Sequence, residues 1–325
     1  MDKRPLILVT NDDGITAPGI RTLIAVMNEI GDVVVVAPDS PQSGMGHAVT
    51  ISETLYCDAI KVDDGPQEEY KSSGTPADCV KLAVSEILDR KPDLCVSGIN
   101  HGSNSSINVI YSGTMSAAVE AGVEGIPAIG FSLLDYSWNA NFEVLKPFIK
   151  QIVLNVLEQS LPDGVVLNVN FPKSETFKGI KICRQARANW VEEFDKRINP
   201  QGKVYYWLTG KFTNMDKGED TDEWALAHNY ISVVPVQFDL TAHHFIQKLK
   251  LIPLCFFSVG EGHIEWCCSY SHHLRRYPLH LYNRPNRWLK KPRYLFLWNR
   301  QCNHWGLRKL YFQRPQSTNR KNLYR

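Results

Sequence analysis

Asp12 and Asp13 follow a short apolar run, Pro5-Leu6-Ile7-Leu8-Val9-Thr10, and stand directly before Gly14. Two adjacent carboxylates repel each other, and burial raises the cost of both charges. A hard divalent cation removes that penalty. Three other segments carry side chains that would complete such a site. Ser43 lies in the loop Ala37–His47, Asn100 in Ser97-Gly98-Ile99-Asn100-His101-Gly102, and Ser112-Gly113-Thr114 opens a helical stretch. Asp12, Asp13, Ser43 and Asn100 offer oxygen alone, two anionic and two neutral. That set suits one Mg²⁺ or Mn²⁺ ion, with waters completing an octahedron. Ser112-Gly113-Thr114 offers free backbone N–H groups, two hydroxyls and the positive end of a helix dipole, an anion site suited to phosphate. A cation beside a phosphate cradle implies phosphoester hydrolysis. Taken singly, each piece has an ordinary reading: a turn at Asp12-Asp13, plain loop at Ser43, a cap at Ser112, loop histidines at His47 and His101. The combination carries the expectation.

These residues need elements to bring them together. The apolar run before Asp12 reads as a buried parallel strand. Pro18–Ile30 is amphipathic, with Pro18 at its first position and Gly31 as its stop. Val33-Val34-Val35-Val36 is a second buried strand. Thr75 caps a helix with Pro76 first and Asp78 three residues on. Leu94-Cys95-Val96 is a strand, Gly113–Glu124 a helix closed by Gly125, and Ala128–Phe131 a strand. The alternation predicts an α/β fold: a Rossmann-like, doubly wound, mostly parallel sheet, in which the strand ends can meet at one switch point. Further on, a helix at 142–161 is expected to bend at Pro147, with strands at Val165–Asn170 and Ile231–Val236. Trp190–Arg197 and Val204–Leu208 flank a turn at Asn199–Gly202, giving a C-terminal β-hairpin extension rich in aromatic residues. A long hairpin of that kind packs either on a partner subunit or back on its own domain. A last helix is expected from Asp239 to Lys250.

The net charge of +2 conceals an asymmetry. Residues 251–325 carry 14 Lys and Arg against 2 Asp and Glu, which leaves 22 against 32 in the first 250. An acidic body offers no nucleic-acid surface. The tail joins Arg to aromatic residues, which suits stacking on nucleic acid, but it lacks Ala, Asp and Met altogether. That bias favours a segment not selected to fold over a nucleic-acid arm. The expected organisation is therefore a domain at 1–250, with its core at about 1–135 and the extension at 136–250, followed by a basic aromatic tail. No segment reads as a signal peptide or a membrane span. Eight cysteines show no C-x-x-C spacing, which argues for reduced thiols in a cytoplasmic protein, with Cys79 and Cys95 as small core residues.

The motifs resemble the SurE family of survival proteins, metal-dependent 5′/3′-nucleotidases. The resemblance rests on Leu8–Gly14, Val36–Asp39 running into Ser43–His47, Gly74–Val80, Val96–Asn100, Tyr111–Thr114, Gly218–Asp222 and Tyr230–Val233, and covers about residues 5–249. It implies Asp12, Asp13, Ser43 and Asn100 as metal ligands, and substrate phosphate near Asn11 and Ser112-Gly113-Thr114. It also implies nucleoside monophosphate substrates, a projecting hairpin and homodimers or homotetramers. Ala48 and Asn104-Ser105-Ser106 depart from the family pattern, the latter at the expected mouth of the pocket.

Asp239 and His243, four apart on the expected last helix, offer a general acid for the leaving oxygen and a carboxylate to orient it. The other reading makes Asp239 a helix cap and His243 a surface residue. A nucleotide sensor with the same pocket but no turnover is the main alternative function, and phosphate release separates the two. A haloacid-dehalogenase-type phosphatase needs its two aspartates two residues apart, and adjacent side chains of an extended segment point in opposite directions. A dinucleotide dehydrogenase would need G-x-G-x-x-G after the first strand, which is absent.

Overall fold

The computed structural model describes residues 4–250 apart from Trp138, and beyond them only backbone strands within 255–308. The chain divides into two compact units, Met1–Thr241 and Ala242–Arg325. In the first unit the elements run β1 (Leu6–Thr10), α1 (Pro18–Asn28), β2 (Asp32–Pro38), β3 (Cys57–Ile60), β4 (Glu68–Ser72), α2 (Pro76–Leu82), β5 (Leu94–His101), α3 (Gly113–Val123) and β6 (Ala128–Leu133). They continue with α4 (Lys146–Gln159), β7 (Val165–Phe171), β8 (Ile180–Ile182), β9 (Ala188–Val191), β10 (Phe194–Ile198), β11 (Val204–Leu208), β12 (Lys211–Asn214), α5 (Asp222–Ala227) and β13 (Ile231–Gln237). The second unit opens with α6 (His243–Lys250). The expectation that residues 251–325 do not form a domain falls largely outside the described residues; short antiparallel strand pairs occur in their backbone.

Nine strands form one sheet in the order β3-β4-β2-β1-β5-β6-β7-β13-β8. From β4 to β7 every neighbouring pair is parallel. β3 and β13 pair antiparallel with β4 and β7. The chain leaves β1 to one side for β2 and returns to its other side for β5. That reversal is the switch point at which open α/β sheets form a crevice beyond the strand ends. Apolar layers cover both faces. One holds Ile20, Leu23, Ile24 and Met27 of α1 with Ile149 and Val153 of α4. The other holds Cys79 and Val80 of α2 with Ala117, Ala118 and Ala121 of α3. Cys79 and Cys95 are fully buried, as their small size suggested.

The Thr75–Asp78 capping box forms as the sequence indicates: Thr75 Oγ1 accepts from the Asp78 N–H, and Asp78 Oδ2 accepts from the Thr75 N–H at 2.9 Å. Two local expectations are corrected. Pro147 sits in the first turn of α4, where its missing N–H has no helical partner to lose, so it starts the helix instead of bending it. α6 begins at His243 and not at Asp239, because Asp239 Oδ1 accepts from the Thr241 N–H at 2.8 Å and holds a turn ahead of the helix. Among the described residues no helix is long and apolar enough to cross a membrane.

Candidate active site

Four chain segments meet at the carboxyl ends of β1, β2 and β5. One cleft is lined by Asp12, Ser43, Asn100 and Ser112, together with Asn108, Tyr111, Tyr136 and Trp190. A second hollow beside it is lined by Asp13, Thr16, Asp39 and His101. The Ser43 loop is fixed to the acidic pair by its backbone, where the Gln42 N–H donates to the Asp12 carbonyl at 2.7 Å. It is fixed again where the Gly46 N–H donates to the Tyr111 carbonyl, and where His47 Nε2 meets the buried Glu120 carboxylate at 2.6 Å. Asn100 lies just past a register shift between β5 and β6, a local irregularity of the kind that re-aims side chains at sheet ends. Its amide nitrogen donates to the Gly102 carbonyl at 3.0 Å, which leaves the amide oxygen as the end available to a ligand.

Asp12 is 4% exposed and Asp13 half-buried, and neither forms an ion pair with Lys, Arg or His among the described residues. Burial, followed by the neighbouring Asp13 charge, pushes the Asp12 carboxyl up to about 6. Burial also raises Asp13, against the His101 N–H that donates to its Oδ2 at 3.2 Å. Two adjacent acids, one buried and one half-buried, with no cationic side chain paired to them among the described residues and with Ser43 and Asn100 on the Asp12 cleft, make an environment that a hard divalent cation would relieve. Among the described residues no three His, Cys, Asp or Glu side chains converge. The donor set here reaches four only through the neutral oxygens of Ser43 and Asn100.

The start of α3 differs from the phosphate cradle the sequence suggested. Thr114 is fully buried and its hydroxyl donates to Asp12 Oδ1 at 2.5 Å, so it orients the carboxylate instead of presenting a free hydroxyl. Gly113 lies against the same side chain: a Cβ there would stand 2.6 Å from Asp12 Cβ. Ser112 caps the helix, its Oγ accepting from the Met115 N–H, and of the three it alone lines the cleft. Asn11 is buried. Its amide donates to the Gly14 carbonyl at 2.9 Å, and its Oδ1 has no hydrogen-bond partner among the described residues.

Asn104, Ser105 and Ser106 are buried anchors. Asn104 donates its backbone N–H to Asn170 and its amide to Ser132, Ser105 donates to Glu223 at 2.5 Å, and the Ser106 N–H donates to Asp222. The network ties the loop after β5 to β7 and α5. Trp190 and Asn108 were not expected at the site. Trp190 belongs to the hairpin, yet its Nε1 donates to Asn108 Oδ1 at 2.8 Å on the cleft wall. Exposure separates Trp190 from the hairpin tip: it is partly buried, whereas Phe194, Tyr206 and Trp207 are exposed. No period in the sequence marks that difference. Asp239 and His243 are not neighbours on one helix, as the fold showed; both are exposed, and His243 is the first residue of α6 in the second unit.

A family model described as Survival protein SurE matches residues 7–192. The 5′-nucleotidase SurE of Flavobacterium psychrophilum is 75% identical over 249 residues, covering 76% of this chain and 97% of that protein. The protein of the same name from Bacteroides fragilis is 48% identical over 250 residues, covering 77% of this chain and 98% of its own length. The crystal structure of the SurE protein from Aquifex aeolicus aligns with a TM-score of 0.67 at 40% identity, over 76% of this chain and 99% of that one. With the acidic pair, the Ser43 loop, Asn100 and the capped α3 all gathered at the β1 switch point, the chain belongs to the SurE family.

Proposed function

We propose that this protein is a metal-dependent nucleotidase that hydrolyses nucleoside 5′-monophosphates, and 3′-monophosphates as well, to nucleoside and inorganic phosphate. The observation that carries the reading is Asp12, buried and without a cationic partner among the described residues, on the same cleft as Ser43, Asn100 and the Ser112 cap, with half-buried Asp13 in the adjoining hollow. The relatives named 5′-nucleotidase SurE support it independently. Asp12, Asp13, Ser43 and Asn100 would hold one Mg²⁺ or Mn²⁺ ion. When bound, such a cation neutralises phosphoryl charge and acidifies water. Thr114 and the N-terminus of α3 hold the Asp12 carboxylate in one orientation. Ser112, which lines the cleft at the start of α3, would face substrate phosphate, with Asn11 bracing the adjoining Asp12–Gly14 turn through the Gly14 carbonyl. The catalytic unit of this reading is residues 1–250. Exposed apolar side chains on β10 and β11, among them Phe194, Trp207 and Leu208, support assembly of two or four copies. The free thiols of Cys57, Cys79, Cys95 and Cys183 support a reducing cytoplasm.

Phosphate release from a panel of 5′- and 3′-nucleotides, with Mg²⁺ or Mn²⁺ and then with excess chelator, tests the reading. Release that stops in chelator and returns with the cation is the expected result. Nucleotide binding without any release would make the protein a sensor.

His243, four residues after Asp239 in the sequence, is our proposed source of the proton for the leaving ribose oxygen. The support is chemical, since imidazole is the side chain most often used as a general acid. His243→Ala should lower kcat on nucleotides at least about 10-fold more than on p-nitrophenyl phosphate, whose leaving group needs no proton. Equal losses on both substrates would remove His243 from that role.

A further inference from the structure

The hairpin contributes one side chain whose placement metal and phosphate chemistry leave unexplained. Trp190 is fixed on three sides. Its Nε1 donates to Asn108 Oδ1 at 2.8 Å. Phe212, its partner across the β9–β12 ladder, meets the ring edge-on with centroids 5.6 Å apart. The backbone of Gly210 presses against the indole so closely that a Cβ there would stand 3.2 Å from Cε3. Gly210 adopts φ +128, a conformation that excludes most side chains, so this approach is built into the chain. The indole nonetheless lines the same cleft as Asp12, Ser43 and Asn100, together with Tyr111 and Tyr136. A rigid aromatic ring at the wall of a cleft whose other wall suits a phosphate is the arrangement that stacks a planar heterocycle.

We infer that Trp190, held by Asn108, Phe212 and Gly210, is the stacking platform for the substrate's base, and that it determines the preference for nucleotides over baseless phosphate esters. The inference rests on the nucleotidase reading. Stacking tolerates every base because each presents a π-face. Trp190 therefore sets selectivity for a nucleoside as a class, without choosing among bases. Asn108, which also lines the cleft, positions the ring through its Oδ1.

The test compares kcat/KM for 5′-AMP with kcat/KM for ribose 5-phosphate in the full-length protein. Loss of a base-stacking side chain corresponds to a change on the order of 10- to 100-fold. Trp190→Ala should reduce the ratio of the two values by that factor, chiefly through KM for AMP. Trp190→Phe keeps a flat ring and should restore most of the ratio. Trp190→Ala and Trp190→Phe lowering both substrates in parallel, or leaving the ratio intact, would overturn the inference. If Trp190→Ala fails to fold, Trp190→Phe against Trp190→Leu decides it, since Leu fills space without a π-face. Wild-type protein that releases phosphate from neither substrate would refute the nucleotidase reading itself, a distinguishable result.

Discussion

Asp13→Asn abolishes phosphate release from every nucleotide while raising the melting temperature of the chelator-treated protein. The substitution removes one of the two proposed anionic ligands without changing volume. The Asn oxygen can still accept the His101 N–H that Asp13 accepts at 3.2 Å, so local geometry survives. Activity falls because the remaining site has one carboxylate, Asp12, with the neutral oxygens of Ser43 and Asn100, too little charge to strip a hard cation of its water. Stability rises because Asp13 is the second cause, after burial, of the upward shift at Asp12. Each ~1 kcal/mol of relieved repulsion raises the melting temperature by about 2–4 °C in a domain of this size. Calorimetry with chelator and a phosphate assay with Mn²⁺ measure the two halves. A variant that retains activity, or that melts lower in chelator, contradicts the role given to the pair.

Gly113→Val is expected to cost nearly as much activity by displacing a neighbour, the Asp12 side chain. A Cβ at residue 113 would stand 2.6 Å from Asp12 Cβ and 2.9 Å from its Oδ2. That is about 1 Å inside ordinary carbon contact, and the two methyls of Val extend further. Either α3 or the Asp12 carboxylate has to move, and the Thr114 hydroxyl bond to Oδ1 is lost with it. Misplacement by about 1 Å costs roughly 10²-fold in rate, and overpacking costs about 1–3 kcal/mol in stability. The diagnostic measurement is cation binding by calorimetry in the absence of nucleotide. Weakened cation affinity marks Gly113 as a residue that seats Asp12. Unchanged cation affinity with weakened phosphate affinity would return it to the phosphate cradle.

The central strands and first helices were legible because one requirement dominates each of them. β1 and β2 are buried on both faces and read as unbroken apolar runs. α1 and α2 carry Pro at their first turns, and α2 adds a capping box. The edge of the sheet was not legible. β4 is Glu-Glu-Tyr-Lys-Ser, and its Glu69 is buried against Arg21, a pairing 48 residues away that no local pattern encodes. β8 and α5 are too short for a period to show. At the candidate site, Asp12, Ser43, Asn100 and Ser112, which line one cleft, could be named from chemistry because a cation and a phosphate would restrict the residue types that serve them. The hydroxyl of Thr114 could not be assigned, since phosphate and carboxylate are equally good acceptors for it. Trp190 was hidden for a different reason: a hairpin aromatic looks the same in sequence whether it faces solvent, a partner or a cleft.

The position of β1 has a consequence for how the chain is made. β1 pairs with β2 on one side, Ile7 against Val33, and with β5 on the other, Ile7 against Leu94. The first pairing becomes possible soon after synthesis begins, whereas the second waits for residues nearly ninety positions downstream. At ribosomal speeds of about 5–20 residues per second, the apolar strand that leads into the acidic pair stays open along one edge for roughly 4–17 s. An unpaired apolar edge is a template for pairing with other chains. The same central placement that gathers the site at a switch point leaves the nascent chain exposed until β5 emerges to close it.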